Sequence, residues 1–176
     1  MLTRNFWTLF AALGGQVTTT SKTVELKKID GTIYSCSYSS SSRIPYALLG
    51  GVCMPQGLSS NYGSWNGTWY GRGRTPATVD DYTLEDPIFD NAITGASGLT
   101  ALVATVGDGY MQISATQSLT NNTDEEIAVG EVGCFGQVSS SGSGILMDRT
   151  VLEEPIVIPP KGTVAFEYVI KFPFGT

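Results

Sequence analysis

The chain contains no histidine. That absence removes the commonest general base and the commonest imidazole metal ligand together, so Ser-His-Asp and Cys-His chemistries are excluded. Cysteine is scarce as well. Cys36, Cys53 and Cys134 are an odd number at wide, unmatched spacings, which supply neither a Cys-x-x-Cys zinc site nor a disulfide framework. They read as small buried hydrophobes. Charge is sparse: only 15% of the 176 residues are Asp, Glu, Lys or Arg, against about a quarter in an average globular chain. The 10 basic residues are outnumbered by 16 acidic ones, for a net charge of −6. Such a chain carries no electrostatic footprint for nucleic acid or for an anionic membrane surface. No apolar run reaches the roughly 18 residues that span a bilayer.

What is present is 41% hydrophobic residue content, 21 glycines and long Ser/Thr/Asn tracts. A surface of hydroxyls and amides suits a β-rich protein that meets other protein, and the length suits a single domain over 1–176. The first residues, "MLTRNFWTLFAALGG", read as an amphipathic helix within 1–15 rather than an export signal, because the apolar core is short and interrupted by Thr8. Thr3 can cap it, Leu2, Phe6, Leu9, Phe10 and Leu13 recur at helical spacing, and Gly14-Gly15 ends it. Trp7 and Ala11 widen the stripe, so the helix must dock either on its own domain or on a neighbouring subunit.

Beyond the helix the period changes to two. "KTVELKKIDGTIYSCSY" places Asp30-Gly31 between two alternating runs, as a hairpin requires. "YMQISATQSLT" alternates with Met111, Ile113, Ala115 and Leu119 inward, and "TVAFEYVIKF" with Val164, Phe166, Tyr168, Ile170 and Phe172 on one face. "EEIAVGEVGCFG", "ILMDRTVL" and "PIVI" follow at short intervals. Short strands separated by Gly, Asn and Pro turns predict an all-β fold, an antiparallel β-sandwich or jelly-roll-like barrel, with one short N-terminal α-helix.

Residues 39–70 form a Ser/Gly/aromatic-rich insertion. Tyr62, Trp65, Trp69 and Tyr70, set in a polar loop, suit a protein hot spot or a glycan-stacking platform, or else cover one open end of the sandwich. Asn66-Gly67-Thr68 and Asn121-Asn122-Thr123 fit the pattern of a glycosylation acceptor. "GRGRTPATVDDYTLEDPI" at 71–88 has a Gly-x-Gly pair without the third glycine or following lysine of a phosphate cradle, and Thr75-Pro76 permits a helix start. Asp80, Asp81, Glu85, Asp86 and Asp90 lack the Asp-x-Asp-x-Asp-Gly spacing of a calcium loop, and acids in a helix's first turn answer to its dipole. No metal, cofactor or catalytic carboxylate pair is singled out, and the chain reads as a non-enzyme. Arg149, among apolar neighbours, calls for an acid such as Glu131 or Glu153.

Taken in order, "GRGRTPATVDDYTLEDPI", "SLTNNTDEEIAVGEVGCFG" and "LMDRTVLEEPIVIPPKGTVAFEYVIKF" resemble a recurring class of small virion structural proteins of tailed bacteriophages. The resemblance covers roughly residues 71–173. It implies a β-sandwich building block located in the virion that works by assembly. The leading form is a capsid accessory, a decoration or cement protein or a head fibre contacting the major capsid protein; the alternative is a tail or baseplate component. It implies no catalytic residues, and a homo-oligomer is the expected way for a small sandwich to satisfy such contacts. The partner-facing residues are then expected outside the resemblance or at its margin, at Phe6, Trp7, Phe10, Tyr62, Trp65, Trp69 and Tyr70. Binding of a host glycan by the Tyr/Trp-rich loop is the other open reading.

Overall fold

A computed structural model describes residues 1–8, 22–38, 67–89, 92–95, 103–137 and 144–173. Its strands are β1 (Lys22–Lys27), β2 (Ile33–Tyr38), β3 (Gly67–Gly71), β4 (Ile93–Gly95), β5 (Val103–Gly107), β6 (Tyr110–Asn121), β7 (Ile127–Gln137), β8 (Gly144–Ile158) and β9 (Thr163–Pro173). Every pairing among them is antiparallel, and the described residues are mostly antiparallel sheet with one short helix, consistent with an all-β fold. β1 and β2 form a hairpin, β3-β7-β8 a second sheet, and β4-β6-β5 a third in which β9 takes the other edge of β6.

The β1–β2 hairpin turns where Asp30-Gly31 predicts, though by a three-residue rather than a two-residue loop. Lys28 and Thr32 close it, with the Lys28 N–H donating to the Thr32 carbonyl at 2.9 Å and the Gly31 N–H to the Lys28 carbonyl at 2.9 Å. Gly31 sits at φ 81°, a left-handed position glycine takes without a Cβ penalty. The Asp30 carboxylate accepts from both the N–H and the hydroxyl of Thr32, and these bonds hold its pKa below the ordinary value.

"ILMDRTVL" and "PIVI" are one strand, not two. β8 runs 15 residues, and residues 152–155 bulge out opposite Gly130, since Val129 pairs with Ile156 while Glu131 pairs with Val151. Pro155 lies inside that bulge, where its missing N–H interrupts no ladder bond. A second irregularity falls at Met147, between the pairs Cys134↔Asp148 and Phe135↔Leu146.

At this second irregularity the N-terminal residues dock, and they correct the expected helix. The helix begins at residue 4, directly after Thr3, and is described through residue 8, while Leu2, expected on the helical stripe, lies before it in extended chain. Leu2 forms a bridge with Asp148, the Thr3 N–H donates to the Met147 carbonyl at 3.0 Å, and the Arg149 N–H donates to the Met1 carbonyl at 3.0 Å. The outer edge of β8 offers these unpaired groups, and satisfying them outweighs one more helical turn. Thr3 does precede the helix, but its hydroxyl donates to the Leu146 carbonyl at 2.7 Å. Asn5 acts as a short length of strand: its amide donates to the Lys27 carbonyl and accepts from the Lys27 N–H, both at 2.8 Å, tying β1 to the β8 edge.

The main buried cluster draws Tyr70 from β3, Val129 and Val132 from β7, Ile158 from β8, Ile93 from β4, Leu119 from β6 and Phe166 from β9. The two larger sheets therefore share one core. On β9, Ala165, Glu167, Val169 and Lys171 lie on the exposed face while Phe166 is buried, as the alternation predicts. Met111 departs from it: expected inward, it is exposed, because it stands at the far end of β6 from the core that buries Leu119.

Asn121 closes the end of that core. It is fully buried, its amide N–H groups reach the carbonyls of Glu125 (2.7 Å), Ile158 (3.1 Å) and Pro159 (3.2 Å), and its carbonyl accepts from the N–H and hydroxyl of Thr123. A nitrogen so enclosed leaves no room for a glycan in this fold, so Asn121-Asn122-Thr123 fits the acceptor pattern by chance, as short motifs often do. The following turn runs through Pro159 to Gly162, with Lys161 at φ 55° and its ammonium 3.0 Å from Asp124. Replacing Asn121 by Ala removes the shared donor of this end of the fold. It should lower stability by about 2–3 kcal/mol with the β-type circular dichroism retained, as read from the shift of the urea unfolding midpoint; a change below about 0.5 kcal/mol would contradict this role.

Candidate functional site

The acid-rich stretch that follows β3 is a closed excursion. The chain leaves at Gly71 and returns at Pro87, which bridges Gly71; the Arg72 N–H donates to the Asp86 carbonyl at 2.8 Å and the Ile88 N–H to the Tyr70 carbonyl at 2.9 Å. No helix starts after Thr75-Pro76. The carboxylates instead hold the excursion from within. Glu85 accepts from the backbone N–H groups of Arg74 (2.8 Å) and Thr75 (2.9 Å) and from the Thr75 hydroxyl (2.5 Å). Asp81 accepts from the N–H (2.9 Å) and the hydroxyl (2.8 Å) of Thr78. Serving turn geometry, these acids need no helix dipole to explain them.

Beneath the excursion lie Glu131 on β7 and Arg149 on β8, whose backbones are adjacent because Gly133 pairs with Arg149. Glu131 has an exposure of 0%. One of its oxygens accepts from the N–H groups of Gly73 (3.2 Å) and Asp86 (2.9 Å), the other from the Glu85 N–H (3.2 Å) and Arg149 Nε (2.7 Å). Arg149, also buried, spends a second nitrogen on Asp81 Oδ2 at 2.9 Å, and its third lies 3.5 Å from Glu85 Oε2. Of the two acids expected opposite Arg149, Glu131 is its partner. Glu153 is not; its backbone carbonyl instead accepts from the Arg74 guanidinium at 2.8 Å, which stitches the excursion to the β8 bulge.

This arrangement answers why glycine recurs in "GRGR" and where Arg74 goes. A Cβ on Gly73 would stand 2.5 Å from Glu131 Oε1 and 2.6 Å from Glu85 Cβ, and one on Gly71 would collide with the same carboxylate oxygen and with the Asp86 carbonyl. The glycines make room for a buried anion of the protein itself, not for a phosphate. Arg74 reaches the bulge, and Arg4 pairs across the surface with Asp80 at 2.6 Å.

Electrostatics follow the contacts. Burial pushes the Asp81 carboxyl up, but the Thr78 and Arg149 hydrogen bonds outweigh it and leave the pKa below the ordinary 3.8. Glu85 lies below its ordinary 4.5, chiefly through the Thr75 hydroxyl and backbone N–H. For Arg149, burial disfavours the charge, yet Asp81 and Glu131 together raise its pKa. The carboxylates of Asp81, Glu85 and Glu131 each accept from a backbone N–H, and the Arg149 guanidinium lies within ion-pair distance of all three.

The aromatic candidates divide. Trp69 and Tyr70 belong to β3, not to a polar loop, and both are buried. Trp69 packs with Leu84, Phe135 and Leu146, and Tyr70 sits in the main core with its ring 5.5 Å from Phe166, edge to face. Burial also pushes the Tyr70 phenol pKa up. Their contact area is already used within the chain. Phe6 and Trp7 pack edge to face at 5.4 Å, and Trp7 remains 51% exposed beside the β8 edge. Phe10, Tyr62 and Trp65, together with Cys53, Asn66 and Asp90, lie outside the described residues. Cys134 is buried, as expected of a small hydrophobe. No helix among the described residues is long and apolar enough to cross a membrane.

No protein family model matches the chain, and neither a curated protein nor a solved structure is found to match it.

Removing either charge of the central pair strands the other in the interior. Arg149→Met and Glu131→Gln should each cost about 3–5 kcal/mol, while Glu153→Gln, at an exposed residue, should cost less than about 0.5 kcal/mol; equal effects in chemical denaturation would refute the network. Arg149→Lys should not rescue, because an ammonium cannot present the guanidinium fork to Glu131 and Asp81 at once. The pH dependence carries its own sign. Asp81 and Glu85 have folded pKa values below their unfolded ones, so their contribution is complete above the ordinary values of 3.8 and 4.5 and is lost as pH falls through the depressed folded values. Thermal melts should therefore be flat in this contribution from neutral pH to about 5 and fall steeply below about 4, and Asp81→Asn should flatten the acid limb.

Proposed function

We propose that the protein is a structural component of a tailed-bacteriophage virion that acts by assembly, as a β-sandwich in which the β3-β7-β8 sheet faces the sheet of β4, β5, β6 and β9. The observation that carries this reading is the convergence of the sequence stretches behind the resemblance. The excursion after β3, the "EVGCFG" strand and the "MDRTV" strand meet in one ion-paired cluster whose groups bind each other. Residues that an enzyme would present to a substrate here hold three chain segments together. The sparse charge and the exposed Trp7 favour dense, non-electrostatic contacts with other virion proteins.

The leading form is an accessory on the capsid lattice, with Phe6 and Trp7 as its anchor on the major capsid protein. A half-exposed indole backed by a second ring is the kind of group that dominates interface energy. Mixed with DNA-free heads of the phage that encodes it, the protein should sediment with them at a fixed stoichiometry. Trp7→Ala should weaken that association by about 2 kcal/mol, roughly thirtyfold in Kd, while shifting the melting temperature little. Association with isolated tails instead of heads would transfer the reading to a tail or baseplate component, and association with neither would overturn it.

A further inference from the structure

Among the described residues the outer edge of β9 has no partner: β9 pairs only with β6, in an unbroken register from Thr120↔Thr163 to Tyr110↔Pro173. Natural edge strands are blunted by brevity, by bulges, by prolines or by charged side chains, lysine above all. β9 has 11 residues, no register shift, and proline only at its last position. Its outward face carries Val169 at 38% exposure, flanked by Glu167 and Lys171. A long, regular edge with one charge of each sign deters unlike partners while leaving its backbone groups free to pair with a strand of complementary charge order.

We propose that this strand is a second copy of β9 itself, paired antiparallel about a two-fold axis at Val169. The outward face reads Ala165, Glu167, Val169, Lys171, Pro173, all exposed. With Val169 opposite Val169 of the second copy, Glu167 stands opposite Lys171 of the second copy and Lys171 opposite Glu167 of the second copy. The only two charges on the strand thus meet their complements twice, while a register moved by one pair of residues in either direction loses both matches. Cross-strand opposite-charge pairs of this kind are what stabilise a sheet junction. Lys171 is already held over the strands, with its ammonium 5.2 Å from the Tyr110 ring centre. The result is one continuous sheet through two copies, closed by the two-fold and leaving no β9 edge to propagate.

This deepens the assembly reading by naming a self-contact, and rests on it only in taking association as the protein's work. The test is a charge swap in the full chain, followed by sedimentation velocity over a concentration series. Glu167→Lys and Lys171→Glu should each weaken the dimer by about tenfold or more, because both symmetric contacts turn repulsive. The double variant, E167K with K171E, should restore it. Melting temperatures of all variants separate misfolding from loss of association. A monomer throughout the series for the unsubstituted protein, or a double variant no tighter than either single one, would overturn the proposal. Head binding by a protein that is monomeric in this assay would leave the assembly reading standing without the β9 dimer, and a dimer that binds no phage particle would do the reverse.

Discussion

The fold of the central sheet depends on one buried carboxylate. Glu131 lies on β7 in the company of Val129, Val132 and Phe135, and an ion in such surroundings is tolerated only if every lone pair is occupied. Arg149 alone does not occupy them. The remaining positions are filled by the backbone N–H groups of Gly73, Glu85 and Asp86, which can reach only if the chain after β3 doubles back over the sheet. The shape of the 72–87 excursion is therefore the coordination shell of Glu131 written in backbone. A buried ion pair is weak evidence for stability, since a well-packed apolar replacement often does as well. An apolar residue at 131 would accept nothing from the N–H groups of Gly73, Glu85 and Asp86, and the excursion would be left to its backbone closure at Arg72–Asp86 and Ile88–Tyr70.

β8 carries that constraint to the rest of the molecule. Its two irregularities flank Arg149: the 152–155 bulge receives Arg74 through the Glu153 carbonyl, and the Met147 irregularity exposes backbone groups that residues 1–3 satisfy. Arg149 itself joins both sides, with its guanidinium in the excursion and its N–H on the Met1 carbonyl. Asn5 then continues the connection to β1. The N-terminal helical residues, and with them the exposed face of Trp7, are thus positioned by the same strand that anchors the ion cluster. A change at the buried pair would be felt at the surface through covalent and hydrogen-bonded neighbours alone.

Sequence pattern reveals this fold where burial is one-sided and hides it where burial is two-sided. β9 alternates because one face meets the core and the other meets water, and the β1–β2 hairpin announces itself through Asp30-Gly31. β3 does neither. Trp69 faces one cluster and Tyr70 the other, so "GTWYG" has no period, and its glycines and aromatics resemble the polar, aromatic-rich sequence that precedes it. The same two-sided burial affects β7, yet one signal survives on its neighbour β8. An arginine at 149 among apolar neighbours demands a buried acid, which makes Glu131 and Glu153 its candidates from sequence alone; the structure selects Glu131. That Asp81 and Glu85 complete the cluster was not legible, because nothing local says which of several acids in a loop turns inward. The Asn121 amide was hidden for another reason: its motif matches a modification signal, and only burial tells the two apart.

The consequence for function is a separation of chemistry from surface. The carboxylates of 81, 85 and 131 and the Arg149 guanidinium are bound to one another or to backbone, and for Asp81, Glu85 and Arg149 the fold favours the charged form. What the described surface offers outward is an indole half in water, strand faces carrying Thr and Val, and exposed charges such as Arg72, Glu125, Glu153 and Lys171. Backbone pairing along a sheet edge demands fixed geometry over many residues, whereas attraction between exposed charges weakens with salt. The buried ion pairs are screened far less, and they hold the chain segments that carry those surface groups.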